Sequence, residues 1–224
     1  MNRETMVIAH RGASALAPHE NTLEAFQIAI DLKADMAEFD VRKTSDNILI
    51  VFHDGTIDGR KIGDMTYNRI NDIASKEGYR VPTLDEVLEL CSGKICLDIE
   101  LKESGYERRV IDLVKGRFGY GEFSIKSFNV KAIDPRIKTG LLVGKKKAKL
   151  GVRLNEYFPE RRMRRCKADF ISPNYLLCTK KFVKRMKRKH IPVYVWTVND
   201  PHWMRRMCRL GVDAVITDRP DIMR

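Results

Sequence analysis

The chain has 224 residues, a formal net charge of +12, 43% hydrophobic and 32% charged residues, the balance of a globular protein with an ordinary core. No apolar run reaches the about 18 residues of a membrane-spanning helix. The opening Met1-Asn2-Arg3-Glu4 has no signal-peptide core, and Asn2 excludes N-myristoylation, so the cytoplasm is the expected location. Cys91, Cys96, Cys166, Cys178 and Cys208 are odd in number and form no CxxC pair, which suggests neither a disulfide framework nor a zinc site. Charge is unevenly spread. Residues 1–100 carry 11 Lys+Arg and 18 Asp+Glu, a net of −7, whereas residues 101–224 carry 31 and 12, a net of +19.

In chain order, residues 6–9 form a short apolar strand that stops at His10-Arg11-Gly12. A loop of small residues leads to Pro18. Asn21 or Thr22 then caps a helix whose apolar stripe, Leu23, Phe26 and Ile30, runs to Leu32. Residues 37–55, AEFDVRKTSDNILIVFHDG, read as a strand, a tight turn at Ser45-Asp46-Asn47 and a second strand over 48–52. Glu38 and Asp40 stand two residues apart at the end of the first strand, so both side chains leave on one face. His53 and Asp54 end the second. Residues 56–80 are polar and dotted with glycine, and read as an excursion above the main fold. Thr83 with Glu86 makes a capping box for a helix buried through Leu84, Val87, Leu88 and Cys91. A strand at 95–101, a helix at 106–118 and a strand at 123–127 follow. Further on come strands at 139–143 and 169–172, with short or irregular helices expected over 129–157 and a helix around 157–167. Thr179 caps a helix to His190, residues 193–197 form a strand, Pro201 opens a helix that Gly211 closes, and residues 214–217 are the last strand.

The repeated order of β-branched strand, connection and helix calls for a parallel sheet with crossover helices. Eight such strands in one domain predict the α/β class and a single closed (β/α)8 barrel. It spans residues 1–224, with a small insertion at about 55–80 after the second barrel strand. An open doubly wound sheet is the alternative, but it usually carries a glycine-rich phosphate turn after its first strand, and His10-Arg11-Gly12 is not one.

In such a barrel, functional groups gather at the C-terminal ends of strands. Those ends hold His10 and Arg11, Glu38 and Asp40, Glu100 and Lys102, Ser127, Ser172, Trp196 to Asn199, and Asp218. Three carboxylates at neighbouring ends would repel one another unless a cation sat between them, and oxygen donors suit Mg2+ or Ca2+. His10 and His53 can exchange protons near neutral pH. Arg11 and Lys102 suit a phosphate. Singly, each has an ordinary explanation. A histidine can be a structural hydrogen-bonder, Glu100 with Lys102 a simple ion pair across a pleat, and Trp196 barrel filling. Their conjunction points to catalysis. Ser127 and Ser172 have no adjacent base and read as structural.

At these residues the chain resembles the glycerophosphodiester phosphodiesterase family. The matching segments are AHRGASALAPHENTLEAF at 9–26, AEFDVRKTSDNILIVFHD at 37–54, VPTLDEVLEL at 81–90, LDIELK at 97–102, VYVWTVND at 193–200 and GVDAVITDRPD at 211–221. The resemblance implies a TIM barrel, a divalent cation, and cleavage of glycerophosphodiesters to glycerol 3-phosphate and an alcohol. Carried over by motif, Glu38, Asp40 and Glu100 would be metal ligands, and His10 and His53 the acid–base pair. Arg11 and Lys102 would hold the phosphate, and Trp196 would line the glycerol or alcohol pocket. The polar stretch at 56–80 matches the family's insertion above the barrel mouth. Similar barrels with paired histidines, such as bacterial phosphatidylinositol-specific phospholipase C, proceed through a cyclic phosphate. By that likeness the glycerol 2-hydroxyl would attack, with His10 as base and His53 as acid. The family motif runs proline directly into Glu-Asn-Thr, whereas His19 intervenes between Pro18 and Glu20, and it is expected at the surface of a lengthened loop.

Basic side chains cluster at 145–149, 161–167 and 180–189. The helix after Thr179 has Phe182, Val183, Met186 and His190 on one face and otherwise Lys and Arg. It reads as a barrel helix with a solvated outside, or more sharply as a peripheral docking face for an anionic membrane, each basic residue adding about 1 kcal/mol. On that view the alternative function is a lysophospholipase D-type hydrolase acting on lysophospholipids at a membrane surface. A third reading is a non-catalytic barrel that binds polyanions. Aromatics are not interleaved among the charges, so no nucleic acid is expected as a partner.

Overall fold

The computed structural model describes residues 5–127, 129–144 and 155–223. The basic cluster predicted at 145–149 lies outside the described residues. In chain order the elements are β1 (Met6–His10), α1 (Leu23–Asp31), β2 (Met36–Lys43), β3 (Leu49–Val51), β4 (Thr56–Ile57), β5 (Arg60–Lys61), α2 (Tyr67–Ala74), α3 (Leu84–Cys91), β6 (Cys96–Leu101) and α4 (Glu107–Lys115). The second half holds β7 (Phe123–Lys126), α5 (Val130–Ile133), β8 (Lys138–Val143), α6 (Glu160–Cys166), β9 (Phe170–Pro173), α7 (Lys180–Arg188), β10 (Tyr194–Val195), α8 (Pro201–Leu210) and β11 (Ala214–Thr217).

Strands β10, β11, β1, β2, β6, β7, β8 and β9 pair side by side in that order, all parallel. Bridges between Ile171 and Val193 and between Asn174 and Trp196 join β9 to β10, so the sheet closes on itself as a (β/α)8 barrel. Short runs of Val, Ile and Leu buried on both faces form such strands, and helices cover the outer face. The helix ends follow the chain's own chemistry. Thr22 accepts from the Ala25 N–H, Thr83 and Glu86 form a reciprocal capping box, and Asp200 accepts from the Trp203 N–H just ahead of Pro201. Gly211 ends α8 with a left-handed φ of 74°.

Apolar packing divides into layers. Phe26, Phe39, Leu84, Leu97 and Val110 fill the space beneath α1, α3 and α4, and Phe182, Met186, Val193 and Met207 do the same beneath α7 and α8. Inside the barrel, Ile8, Phe170, Tyr194 and Ile216 form an apolar plug, with the Phe170 and Tyr194 rings stacked 4.3 Å apart. Burying each such aromatic contributes on the order of 2 kcal/mol. The plug closes one end, so the polar residues above it face a single opening. The turn after β1 needs glycine. Gly12 has φ +78°, and a Cβ there would lie 2.6 Å from the Ala25 carbonyl carbon.

Three local readings change. β2 runs on to Lys43, so Glu38 and Asp40 sit inside the strand and not at its end. The helix expected around 157–167 is Glu160–Cys166, directly after Pro159. Residues 56–80 are more than a polar excursion. They fold into the β4–β5 hairpin, a helical turn and α2, and bury Ile62, Met65, Ile70, Ile73 and Ala74 against Ile50 of β3. Apolar spacing of three at 62–65 and of three and four at 70–74 was the signal, outweighed in the sequence by polar residues and glycines.

Candidate active site

The parallel register sets the site. It places His10 beside Glu38, Glu38 beside Asp98, Asp40 beside Glu100, and Glu100 beside Lys126. With period-two alternation these side chains share the barrel interior above the plug. Around them lies a cavity of about 250 Å³, lined by His10, Arg11, Glu38, Asp40, His53, Glu100, Lys102, Lys126 and Trp196, with Leu142, Thr197 and Ile216. The eight residues carried over by the family motifs, His10, Arg11, Glu38, Asp40, His53, Glu100, Lys102 and Trp196, all line this one cavity.

His53 arrives by a detour. β2 continues beyond Asp40, and β3 returns antiparallel to it, with Val41 opposite Val51. The Phe52 N–H donates to the Asp40 carbonyl at 3.0 Å, which brings the next residue, His53, back to the level of the carboxylates. Arg42 fastens the His53 carbonyl through Nε at 2.9 Å and Nη2 at 2.7 Å. The His53 ring contacts Asp54 through Nδ1 at 2.7 Å.

His10 is held more firmly. Its Nδ1 donates to Asp218 Oδ1 at 2.5 Å, and its Nε2 lies 3.9 Å from Glu38 Oε2. Burial would lower the pKa of this imidazole, yet the hydrogen bond to Asp218 and the Glu38 charge hold it above its ordinary value. Burial would raise the Asp218 carboxyl, but the hydrogen bond and charge of His10, with help from Ser14 and Asn199, hold it at about 2. The Ser14 hydroxyl donates to Asp218 at 2.8 Å, and the Asn199 amide donates to its other oxygen.

Glu38, Asp40 and Glu100 each offer an oxygen within 4.8 Å of the others. Lys102 Nζ bridges two of them, 2.7 Å from Asp40 Oδ1 and 2.9 Å from Glu100 Oε1. Burial would raise Asp40, but Lys102 holds its carboxyl below the ordinary range. Burial pushes Glu38 upward, opposed chiefly by Lys126. Arg11 reaches Glu20 at 2.6 Å through Nη1 and lies 3.5 Å from Asp40 through Nε. Asn21 donates its amide to Asp40 Oδ2 at 3.3 Å, while its own Oδ1 is buried without a partner among the described residues. An all-oxygen set of converging carboxylates beside an orphaned amide oxygen fits a hard divalent cation.

Trp196 is fixed by Nε1 donating to the Ser172 carbonyl at 2.7 Å, and the Ser172 hydroxyl donates to the Tyr194 carbonyl, a structural use. His19 stacks on Tyr79 with ring centroids 4.4 Å apart, so it ties the β1–α1 loop to the segment at 56–80 and is half-buried. Sequence reasoning missed the partnership of Asp218 with His10, and it missed Asn21, Asp98 and Lys126 altogether as parts of the site. The alternation of Ser124 and Lys126 along β7 pointed inward for both, and the reading stopped at Ser127 instead.

The model of the Glycerophosphoryl diester phosphodiesterase family matches residues 10–222. A glycerophosphodiester phosphodiesterase of Caldanaerobacter subterraneus is 33% identical over 98% of this chain and 96% of that protein. Crystal structures of glycerophosphodiester phosphodiesterases resemble the fold closely. That from Parabacteroides distasonis has a TM-score of 0.82 at 27% identity, covering 99% of this chain and 95% of the other. That from Thermotoga maritima has a TM-score of 0.78 at 27% identity, covering 100% and 98%.

Proposed function

The chain belongs to the glycerophosphoryl diester phosphodiesterase family and is a phosphoric diester hydrolase; on that premise we propose that it cleaves glycerophosphodiesters to glycerol 3-phosphate and an alcohol by histidine acid–base catalysis assisted by a divalent cation. The observation that carries the reading is the convergence of two histidines, three carboxylates, Arg11 and Lys102 on one cavity at the open end of the barrel.

Glu38, Asp40 and Glu100 would hold the ion, Mg2+ or Ca2+. When bound, it offsets negative charge at the phosphoryl group and eases ionisation of a hydroxyl placed against it. The other steps belong to the chain's own groups. Asp218 keeps the proton of neutral His10 on Nδ1, which leaves Nε2 free to accept one. His10 takes the proton of the glycerol 2-hydroxyl as that oxygen attacks phosphorus. The bond from phosphorus to the alcohol breaks, and His53 protonates the departing alkoxide. Water then opens the resulting cyclic phosphate, with the histidines in reversed roles. Arg11 and Lys102 orient the phosphate oxygens, and Trp196 forms a wall for the organic part.

The experiment is a turnover assay on a panel of glycerophosphodiesters, with wild type, His10→Ala, His53→Ala and Glu38→Ala, with and without a chelator. Full activity in both histidine variants would sink the acid–base assignment. Turnover indifferent to chelation and to Glu38→Ala would remove the ion from the mechanism.

A second reading places the same chemistry on lysophospholipids at an anionic surface. Leu176 and Phe158 are 63% and 55% exposed, and they precede the basic helices α7 and α6 in the chain. No helix among the described residues is long and apolar enough to cross a membrane, so contact would be peripheral. Co-sedimentation with vesicles that ignores their anionic lipid content argues against it.

A further inference from the structure

Lys126 stands outside the chemistry described so far, although its side chain forms part of the cavity wall and is only 3% exposed. It enters the barrel because β7 alternates, sending Ser124 and Lys126 to the same interior face. A lone ammonium at such a depth would cost several kcal/mol, so its partners determine its position. The first is Asp98, whose Oδ2 lies 2.7 Å from Lys126 Nζ and whose Oδ1 accepts from the Ser124 hydroxyl at 2.7 Å. The second is Glu38, whose Oε1 lies 3.5 Å from the same nitrogen. The other Glu38 oxygen, Oε2, accepts from the Arg11 backbone N–H at 3.3 Å and faces His10. One oxygen of this carboxylate is therefore matched to a fixed internal cation.

We propose that Lys126 is a positioning residue that confines Glu38 to a single oxygen toward the divalent cation, and so tilts the carboxylate trio toward Mg2+ over Ca2+. This rests on the reading of Glu38, Asp40 and Glu100 as the ion's ligands. The chemical basis is ligand demand. Ca2+ takes about 6–8 oxygens and readily uses both oxygens of one carboxylate, whereas Mg2+ keeps an octahedral shell with few protein oxygens and several waters. A buried ammonium on Glu38 Oε1 handicaps the first ion more than the second. Lys102 engages one oxygen each of Asp40 and Glu100, and the other Asp40 oxygen accepts from the Asn21 amide, so Glu38 is the ligand whose denticity Lys126 alone among the lysines controls.

The test is calorimetric titration of Mg2+ and Ca2+ into metal-stripped full-length protein. It compares wild type, Lys126→Met, and the double variant Asp98→Asn with Lys126→Met. The double variant removes the buried ion pair together, which keeps the test open if the single variant fails to fold. The ratio of the two affinities is the readout. The two ions carry equal charge, so a change in local potential alone moves both affinities by similar factors. Freeing Glu38 Oε1 moves the ratio toward Ca2+ by about tenfold in both variants, because only that ion gains a second carboxylate oxygen. A ratio within twofold of wild type in the folded variants overturns the inference alone. Wild type that binds neither ion overturns the ion site and this inference with it.

Discussion

Replacing Asp218 by Asn perturbs the best-anchored contact of the site while keeping the side chain's size. Asp218 is held at about 2 where an ordinary aspartate titrates near 3.8. At about 1.4 kcal/mol per pH unit, its surroundings favour the ionised carboxylate by about 2–3 kcal/mol. Its side chain is 25% exposed, so solvent screening discounts this only modestly. The depressed carboxyl lends stability that is present above about 3.8 and lost as pH falls toward 2. The raised imidazole of His10 lends stability that is complete below its ordinary 6.5 and lost as pH climbs through its folded value. The pair is therefore at full strength between those limits. If the transition state with protonated His10 loses about 2 kcal/mol, kcat/KM falls about 30-fold, and an amide that misplaces the His10 proton adds to the loss. The assay is kcat/KM against pH on a glycerophosphodiester. With Asn the strongest of the groups that raise His10 is gone, burial is opposed by Glu38 alone, and the acid limb of the profile moves to lower pH. A loss under threefold with an unmoved acid limb refutes the role given to Asp218.

Lys102→Met removes the ammonium that bridges Asp40 and Glu100 and is proposed to bind phosphate, so kcat/KM falls about 100-fold, with KM raised; steady-state kinetics on the same diester checks it. Gly12→Ala forces a side chain into a left-handed turn against Ala25 and destabilises by about 2 kcal/mol or more, seen as a lower thermal midpoint. Tyr106→Phe deletes a buried hydroxyl that donates to the Val41 carbonyl at 2.7 Å, beyond the catalytic part of β2, and costs about 1–2 kcal/mol in denaturant unfolding with little change in turnover.

What could be read from the sequence was what repeats or alternates. Short β-branched strands, capped helices and Gly211 after α8 reveal a barrel because each obeys a local rule that tertiary contacts did not overturn. Glu38, Asp40, Glu100 and the histidines stood out because polar groups where apolar residues are expected are costly without a use. Other features were hidden because they depend on closure. Asp218 meets His10 only because β11 pairs with β1, joining residues 208 positions apart. α2 was obscured because its apolar face is short and is completed by Ile50 and Val81 from outside the segment. Lys126 drew no notice, since no local pattern says that Asp98 waits for it on the adjacent strand.

The placement of these cations explains how the barrel can hold so much like charge. Glu38, Asp40 and Asp98 are buried, and Glu38, Asp40 and Glu100 offer oxygens within 4.8 Å of one another, so alone they would press one another toward protonation. Lys126 compensates from below, where its side chain is 3% exposed and paired with the fully buried Asp98, and Lys102 compensates from the mouth, where its side chain is 14% exposed. The two differ in what they can release. An ammonium locked between two buried carboxylates stays when substrate arrives, so it acts on ligand geometry. One at the mouth can exchange carboxylate oxygens for phosphate oxygens at small cost, because both are hard anionic acceptors. Substitution of the inner lysine should therefore be read in ion selectivity, and substitution of the outer one in KM.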